Sequence, residues 1–405
     1  VGLALGSTVS PSTFARKNYF YPDLPKDYQI SQFDQPINVG GSLELPSGKV
    51  IGIERAHLEE DTGKSTHVGG GGRIHDAGHS NIDYNRAGVP LLEIVGMPDI
   101  RSADEARAYV SELRAILVAV GASDGKMEEG SMRVDCNVSV RHHGDELGTR
   151  CEIKTVNSLR SLARAIEYEA ARQVDLIESG ERVQQQTRHW NEDDGRTHKL
   201  RSKEEADDYR YFPEPDLVAL DPSAEWIERV RESLPMLPAA RRHRLASTTA
   251  AELEATALVV ERGLDDLCLA AIDAGADPAR ALTHATHNLS DERATDLDPA
   301  AFAALVGLEV SGKLTATQAK TVLAELVEGG GDPEQIAAKH GFEAMDDSEL
   351  AGIVDGLIAG NPDEWQRYCE GDAKIAGFFV GQVMKATKGQ ADGKAVNQLL
   401  AERKA

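Results

Sequence analysis

Residues 131–141, Ser131-Met132-Arg133-Val134-Asp135-Cys136-Asn137-Val138-Ser139-Val140-Arg141, alternate apolar and polar side chains without a break. A strand repeats every two residues. Met132, Val134, Cys136, Val138 and Val140 therefore share one face, and Arg133, Asp135, Asn137, Ser139 and Arg141 the other. Thr149–Lys154 (TRCEIK) continues the pattern with Arg150, Glu152 and Lys154 on its polar side, and the short loop HHGDELG predicts an antiparallel pair. Such a sheet has one apolar face and one lined with acids and bases. A plain solvent-facing sheet also carries mixed charges, so that face alone assigns no chemistry.

Working outward, residues 42–58 read as a hairpin: SLEL, the turn Pro46-Ser47-Gly48, then VIGIERAHL. Residues 102–121 read as a helix, with Ser102 and Glu105 at capping-box spacing and Gly121 as its stop. A second helix runs from a cap at Asn157 or Ser158 to Gly180. After Leu220 the sequence becomes rich in Ala, Leu and Glu with helical texture. The expected fold class is α+β. It comprises a Gly-rich, mainly antiparallel-sheet cradle domain (1–221), an all-α helical domain (222–345) and a small helical tail domain (346–405).

A chain of 405 residues exceeds one ordinary core, which agrees with several domains. Its 41% hydrophobic and 27% charged content is that of a globular rather than a disordered protein. No apolar run approaches the ~20 residues that cross a bilayer. The opening stretch has no initiator Met and no basic segment of a secretory signal, and it enters mid-pattern. Four cysteines lie far apart with no CxxC pair, as expected for reduced thiols in a cytoplasm. A net charge of −23 argues against indiscriminate nucleic-acid binding. From Ala373 onward, however, six Lys/Arg face two acids, about +4 in all. Lys385 and Lys388 share a helix face there, and Lys394 extends the patch. It is a candidate for phosphate contacts, against the plain alternative of a solvated helix face.

The stretch His57–His67, HLEEDTGKSTH, poses a second question. Its Gly-Lys-Ser resembles the end of a phosphate-binding P-loop, but Leu58 stands where the motif's first glycine belongs and three acids would repel phosphate. Adjacent carboxylates after a strand suit a hard divalent cation instead, with Glu59, Glu60 and Glu93 as candidate ligands and Lys64 holding a phosphate as a point charge. Glu128 and Glu129 repeat the pattern more weakly. His57 and His67 could be ligands or packing residues, and His75 and His79 suit a metal less well. The segments ARKNYFYPDLPKDYQISQFDQP and DDYRYFPEPDL mix aromatics with lysines, which suits a polar tunnel or a nucleotide contact as well as a surface turn.

Taken together, RKNYFYPDLPKDYQISQFDQPI, HLEEDTGKSTH, DYNRAGVPLLEIV, KMEEGSMRVDCNVSVR, DDYRYFPEPDL and GFFVGQVMKATKGQA resemble the GatB family, the B component of tRNA-dependent amidotransferases, in colinear order over residues 14–400. The resemblance implies a cytoplasmic ligase that uses ATP and Mg²⁺. The enzyme phosphorylates the glutamyl or aspartyl carboxylate on mischarged tRNA(Gln) or tRNA(Asn), and ammonia from a glutaminase (amidase) A component then displaces the phosphate. It also implies a heterotrimer with a small C component, no DNA or membrane partner, and a YqeY-like tail that binds tRNA through Lys385, Lys388 and Lys394. Carried over residue by residue, the metal ligands are Glu59 or Glu60 and Glu93. The ammonia channel is lined by Lys17, Lys26, Arg55 and Glu60, and the catalytic set is Glu60, Glu93, Lys17, Asp135 and Asn137. The family's opening Gly-Leu-Glu-x-His strand motif is absent from this sequence. That departure keeps two alternatives in view: a tRNA-binding protein with a non-catalytic kinase site, and a different ATP-dependent ligase.

Overall fold

In the computed structural model, which describes residues 1–68, 78–201, 209–342, 347–372, 374–387, 391 and 393–404, the chain divides into two units, Val1–Ala240 and Arg241–Ala405. The first unit begins with short strands: β1 (Thr8–Val9), β2 (Ala15–Asn18), β3 (Tyr28–Ser31), β4 (Asn38–Val39) and β5 (Ser42–Glu44). The long β6 (Val50–Glu60) follows, then β7 (Lys64–Val68), β8 (His79–Asp83) and β9 (Pro90–Gly96). Next come α1 (Ala103–Ala119), β10 (Val134–Val138), β11 (Cys151–Val156) and α2 (Leu159–Glu178). The unit finishes with β12 (Thr187–Asn191), β13 (Arg196–Arg201), β14 (Phe212–Pro213) and α3 (Ala224–Glu232).

The eleven residues of β6 organise the larger sheet, whose order is β1-β4-β6-β3-β2-β14 with β5 and β9 also bonded to β6. All these pairings are antiparallel. The hairpin expected over 42–58 is β5–β6. Its turn closes through the Gly48 N–H donating to Leu45 O at 2.8 Å, with φ of +81° at Gly48, a value that favours glycine. The alternating stretch around Cys136 forms β10, paired antiparallel with β11; β11–β12 is parallel and β12–β13 antiparallel. Helices α1 and α2 cover the apolar face of this second sheet, packing Val110, Leu162 and Ala165 against Val138, Ile153 and Val156. On the polar face, Lys154 Nζ lies 3.0 Å from both Asp135 and Glu152. Ser102 caps α1 by accepting the Glu105 N–H at 3.1 Å, while the Glu105 carboxylate accepts the N–H of Arg101 rather than that of the cap residue. Ser158, not Asn157, caps α2.

The second unit is helical: α4 (Pro238–Thr249, beginning just before the division), α5 (Ala257–Glu261), α6 (Asp265–Asp273), α7 (Pro278–His287), α8 (Pro299–Val310), α9 (Ala316–Gly329) and α10 (Pro333–Lys339). Asp-Pro pairs start α7, α8 and α10. The Asp side chain caps the first N–H groups, and the proline's fixed φ suits the first helical position. Leu245, Phe302, Leu305 and Leu323 lie in one core. A separate core, with Val354, Phe379, Val383, Val396 and Leu400, belongs to α11 (Asp347–Gly360), α12 (Pro362–Cys369), α13 (Lys374–Ala386) and α14 (Gly393–Lys404). All four cysteines are free, and burial pushes the Cys136 and Cys268 thiols up to about 12. No helix among the described residues is long and apolar enough to cross a membrane.

Candidate active site

The register of β6 builds the site. His57 stands directly opposite Glu93 on β9, and Glu59 stands opposite Ser31 on β3. Residues 57 and 59 share a face by the two-residue period of a strand, and a directly opposed residue projects from the same face. His57 Nε2 consequently lies 3.2 Å from Glu93 Oε2 and 3.4 Å from Glu59 Oε1. The three ligating atoms fall within 4.8 Å of one another, and no other group of three His, Cys, Asp or Glu among the described residues does so. His57 is fully buried, the Glu59 side chain is 8% exposed, and that of Glu93 is 47% exposed, so the group opens to solvent on one side.

Burial works against the charge of Glu59. The hydrogen bond with His57, the nearby Lys17 charge and the Ser31 hydroxyl (2.8 Å) nevertheless hold its pKa below the ordinary value. Burial likewise opposes a charge on His57, yet its contacts with Glu59 and Glu93 outweigh burial and raise its pKa. Gln29 adds a donor to Glu59 at 3.3 Å and another, at 2.6 Å, to the carbonyl of Glu60.

Glu60, on the opposite face of β6, accepts a hydrogen bond from Lys26 at 2.7 Å, and the Lys26 ammonium also lies over the Tyr28 ring at 4.7 Å. Lys17 Nζ lies 4.9 Å from the Tyr209 ring centroid. Arg55 is two residues before His57. Its guanidinium covers Phe33 at 4.9 Å, and Phe33 meets His57 edge-on and stacks on Tyr211. Tyr19, Tyr209 and Tyr211 continue this wall, and burial raises the Tyr19 and Tyr211 phenols.

The other candidates are not members of this group of three. Lys64 is exposed at the start of β7, paired in register with Asp83. Asp135 and Asn137 are exposed on the polar face of the second sheet, and Glu128 and Glu129 are exposed in the loop before it. Lys385 is exposed on α13, Lys388 lies outside the described residues, and the side chain of Lys394 on α14 is likewise outside them. The patch is also less positive than its letters suggest, because Arg403 pairs with Asp355 at 2.7 Å. His75 and the His67 side chain fall outside the described residues, and His79 is exposed on β8. His57 is the residue that sequence reasoning did not select. Its signal was present: in a strand, His-x-Glu places both groups on one side.

The fold and the cluster define an α+β protein with a carboxylate–imidazole site on its central antiparallel strand. Residues 1–228 match the GatB/GatE catalytic domain, and residues 277–403 match the GatB domain model. The chain is 48% identical to the B component of the aspartyl/glutamyl-tRNA(Asn/Gln) amidotransferase of Frankia casuarinae, covering 100% of this chain and 84% of that protein. It is 47% identical to the corresponding proteins of Rhodococcus jostii (99% and 84%) and Thermobifida fusca (100% and 82%). The chain belongs to the GatB family, the B components of these amidotransferases.

Proposed function

We propose that this chain carries the ATP-dependent amidation of glutamate or aspartate esterified to tRNA(Gln) or tRNA(Asn). The side-chain carboxylate attacks the γ-phosphorus of ATP, releasing ADP. Ammonia then attacks the acyl carbon, and phosphate leaves with the electrons of the broken C–O bond. The convergence of His57, Glu59 and Glu93 carries this reading, because phosphoryl transfer depends on positioning and charge neutralisation rather than on a protein nucleophile.

The donor set fits a divalent cation. Two hard carboxylates and one imidazole face a common point, at His–Glu separations of 3.2 and 3.4 Å. These are longer than the ~2.7–2.9 Å of a closed charge-assisted bond, so the groups do not saturate one another. His57, Glu59 and Glu93 would hold Mg²⁺, which supplies neutralisation of the phosphate oxygens. Ser31 and Gln29 orient Glu59, and Lys17 adds positive charge beside it. The wall of Arg55, Phe33 and the three tyrosines limits water around the acyl phosphate.

Ammonia arrives from a glutaminase A component, with a small C component completing the assembly, along polar groups that include Lys17, Arg55, Lys26 and Glu60. We read the chain as a catalytic cradle to about residue 221, a helical domain to about 345, and a tail whose Lys385, Lys388 and Lys394 meet tRNA phosphates. Charged tRNA as substrate implies the cytoplasm. In the assembled amidotransferase, Glu93→Ala should abolish tRNA-dependent ADP formation and leave glutamine hydrolysis intact. Normal transamidation by that variant would overturn the reading, and intact tRNA binding by a wild-type assembly that forms no ADP would favour a non-catalytic tRNA-binding protein.

A further inference from the structure

Asp61 lies two residues beyond Glu59, and backbone pairing with the segment before β9 extends one residue past β6 to reach it. Its N–H donates to Val89 O at 2.8 Å, and the Gly88 N–H donates to Asp61 O at 2.9 Å. At ~3.3 Å per residue, Asp61 stands about 7 Å along the strand from Glu59, on the same face. Tyr19 sits within electrostatic reach of both, since its phenol is raised first by burial and then by the charges of Asp23, Glu59 and Asp61.

Asp61 is 8% exposed and faces two guanidinium groups. Arg86 Nε lies 2.9 Å from Oδ2, and Arg133 Nη2 donates to Oδ1 at 3.1 Å. At two other buried carboxylates that meet two arginines, Glu169 and Asp265, one arginine of each pair grips with two nitrogens. Arg16 grips Glu214 through two bonds, of 2.6 and 3.0 Å, from one guanidinium. On Asp61 two cations share one anion, each through a single nitrogen, in a chain of net −23. Arg133 donates one hydrogen bond of its five-donor fork to Asp61, while Arg86 Nε makes an ion pair without hydrogen-bond geometry. Both side chains are 36% exposed. Space for Arg86 is kept by Gly130, where a Cβ would meet Nη1 at 3.1 Å and φ is +80°.

We propose that Arg86 and Arg133, bracketed on Asp61, form a phosphate-binding pair that receives the polyphosphate of the nucleotide beside the His57–Glu59–Glu93 group. This rests on the function proposed above. Guanidinium forks match phosphate oxygens in pairs, which an ammonium such as Lys64 cannot do. Asp61 holds both forks in place before the ligand arrives, so little side-chain entropy is lost on binding.

The test is equilibrium binding of ATP with Mg²⁺, and separately of tRNA, to the amidotransferase assembled with wild-type, Arg86→Met, Arg133→Met or Arg133→Lys chains. Thermal unfolding confirms that each variant is folded. The expected result is ATP affinity reduced about 10- to 100-fold by either Met variant and less by Arg133→Lys, with tRNA affinity within about twofold. Unchanged ATP affinity in folded Met variants reduces the pair to a structural clamp and overturns the proposal. Weakened tRNA binding with intact ATP binding assigns the phosphate to the RNA backbone and also overturns it. A wild-type assembly that binds no ATP would instead overturn the kinase reading on which the pair depends.

Discussion

Glu59, with a side chain 8% exposed, and the buried Glu169 both lie in the first unit, and both have pKa values held below the ordinary value against the effect of burial. Their surroundings differ in one respect. Glu169, on α2, accepts from Arg172 at 2.9 Å, Gln173 at 2.9 Å and Thr197 at 2.8 Å, with Arg188 Nε at 3.2 Å. Arg188 in turn donates to Thr197 at 2.9 Å, and Gln173 to Val138 O at 2.9 Å, so the network closes on itself. Glu59 has one firm donor in Ser31, two long contacts at 3.3 and 3.4 Å, and a half-exposed neighbour in Glu93. A saturated carboxylate holds elements together, whereas an unsaturated one facing other ligands has capacity left for a ligand. Burial and pKa direction alone do not distinguish the two.

The sharpest way to break this comparison is to neutralise each acid in turn. Glu59→Gln should lower tRNA-dependent ADP formation by roughly a thousandfold, since metal neutralisation is worth several kcal/mol, while denaturant unfolding stays close to wild type. Glu169→Gln should do the reverse. It leaves Arg172 and Arg188 facing one another without their carboxylate, a loss of about 3–5 kcal/mol, with turnover per folded molecule retained. If Glu59→Gln destabilised the fold as much as Glu169→Gln, the distinction would fail.

Acid unfolding sharpens it further. Because the folded Glu169 pKa lies below its unfolded value, its contribution is fully present above about pH 4.3. It is lost as pH falls through the folded pKa. Wild type should therefore lose stability on acidification below about pH 4.3, and Glu169→Gln should show a shallower acid limb in urea titrations at stepped pH.

The smallest effect belongs to the tail. Phe379, Val383, Val396 and Leu400 are core residues there, so deleting the tail removes a folded core along with its charges. Lys385→Glu is the cleaner change, and it should weaken tRNA binding about two- to threefold and lower the salt slope by about one unit. An unchanged slope would leave Lys385 a solvated surface residue.

Much of the fold was legible where the information is local. The β5–β6 turn, the Ser102 cap and the alternation through Cys136 each lie within a few residues of sequence. The β12–β13 hairpin was less so. Its Asp194-Gly195 turn is a hairpin signal, but the inward turn of Arg188 toward Glu169 breaks the apolar alternation. The network of Glu169 was hidden in the same way, as a carboxylate at the spacing of Leu162 and Ala165 on the buried face of α2. At the site, sequence offered Glu59, Glu60 and Glu93 but could not choose between neighbours. That choice depends on register against β3 and β9, more than 25 residues away in each direction.

The central claim is that His57, Glu59 and Glu93 bind one divalent cation while Glu60 does not. Electron paramagnetic resonance with Mn²⁺ as a spectroscopic stand-in for Mg²⁺ tests it directly in the wild-type assembly and in His57→Ala, Glu59→Gln, Glu93→Gln and Glu60→Gln variants. The account predicts one site in the wild type, weakened at least tenfold by each of the first three changes and unaltered by Glu60→Gln. Loss of Mn²⁺ in Glu60→Gln with retention in Glu59→Gln would contradict it.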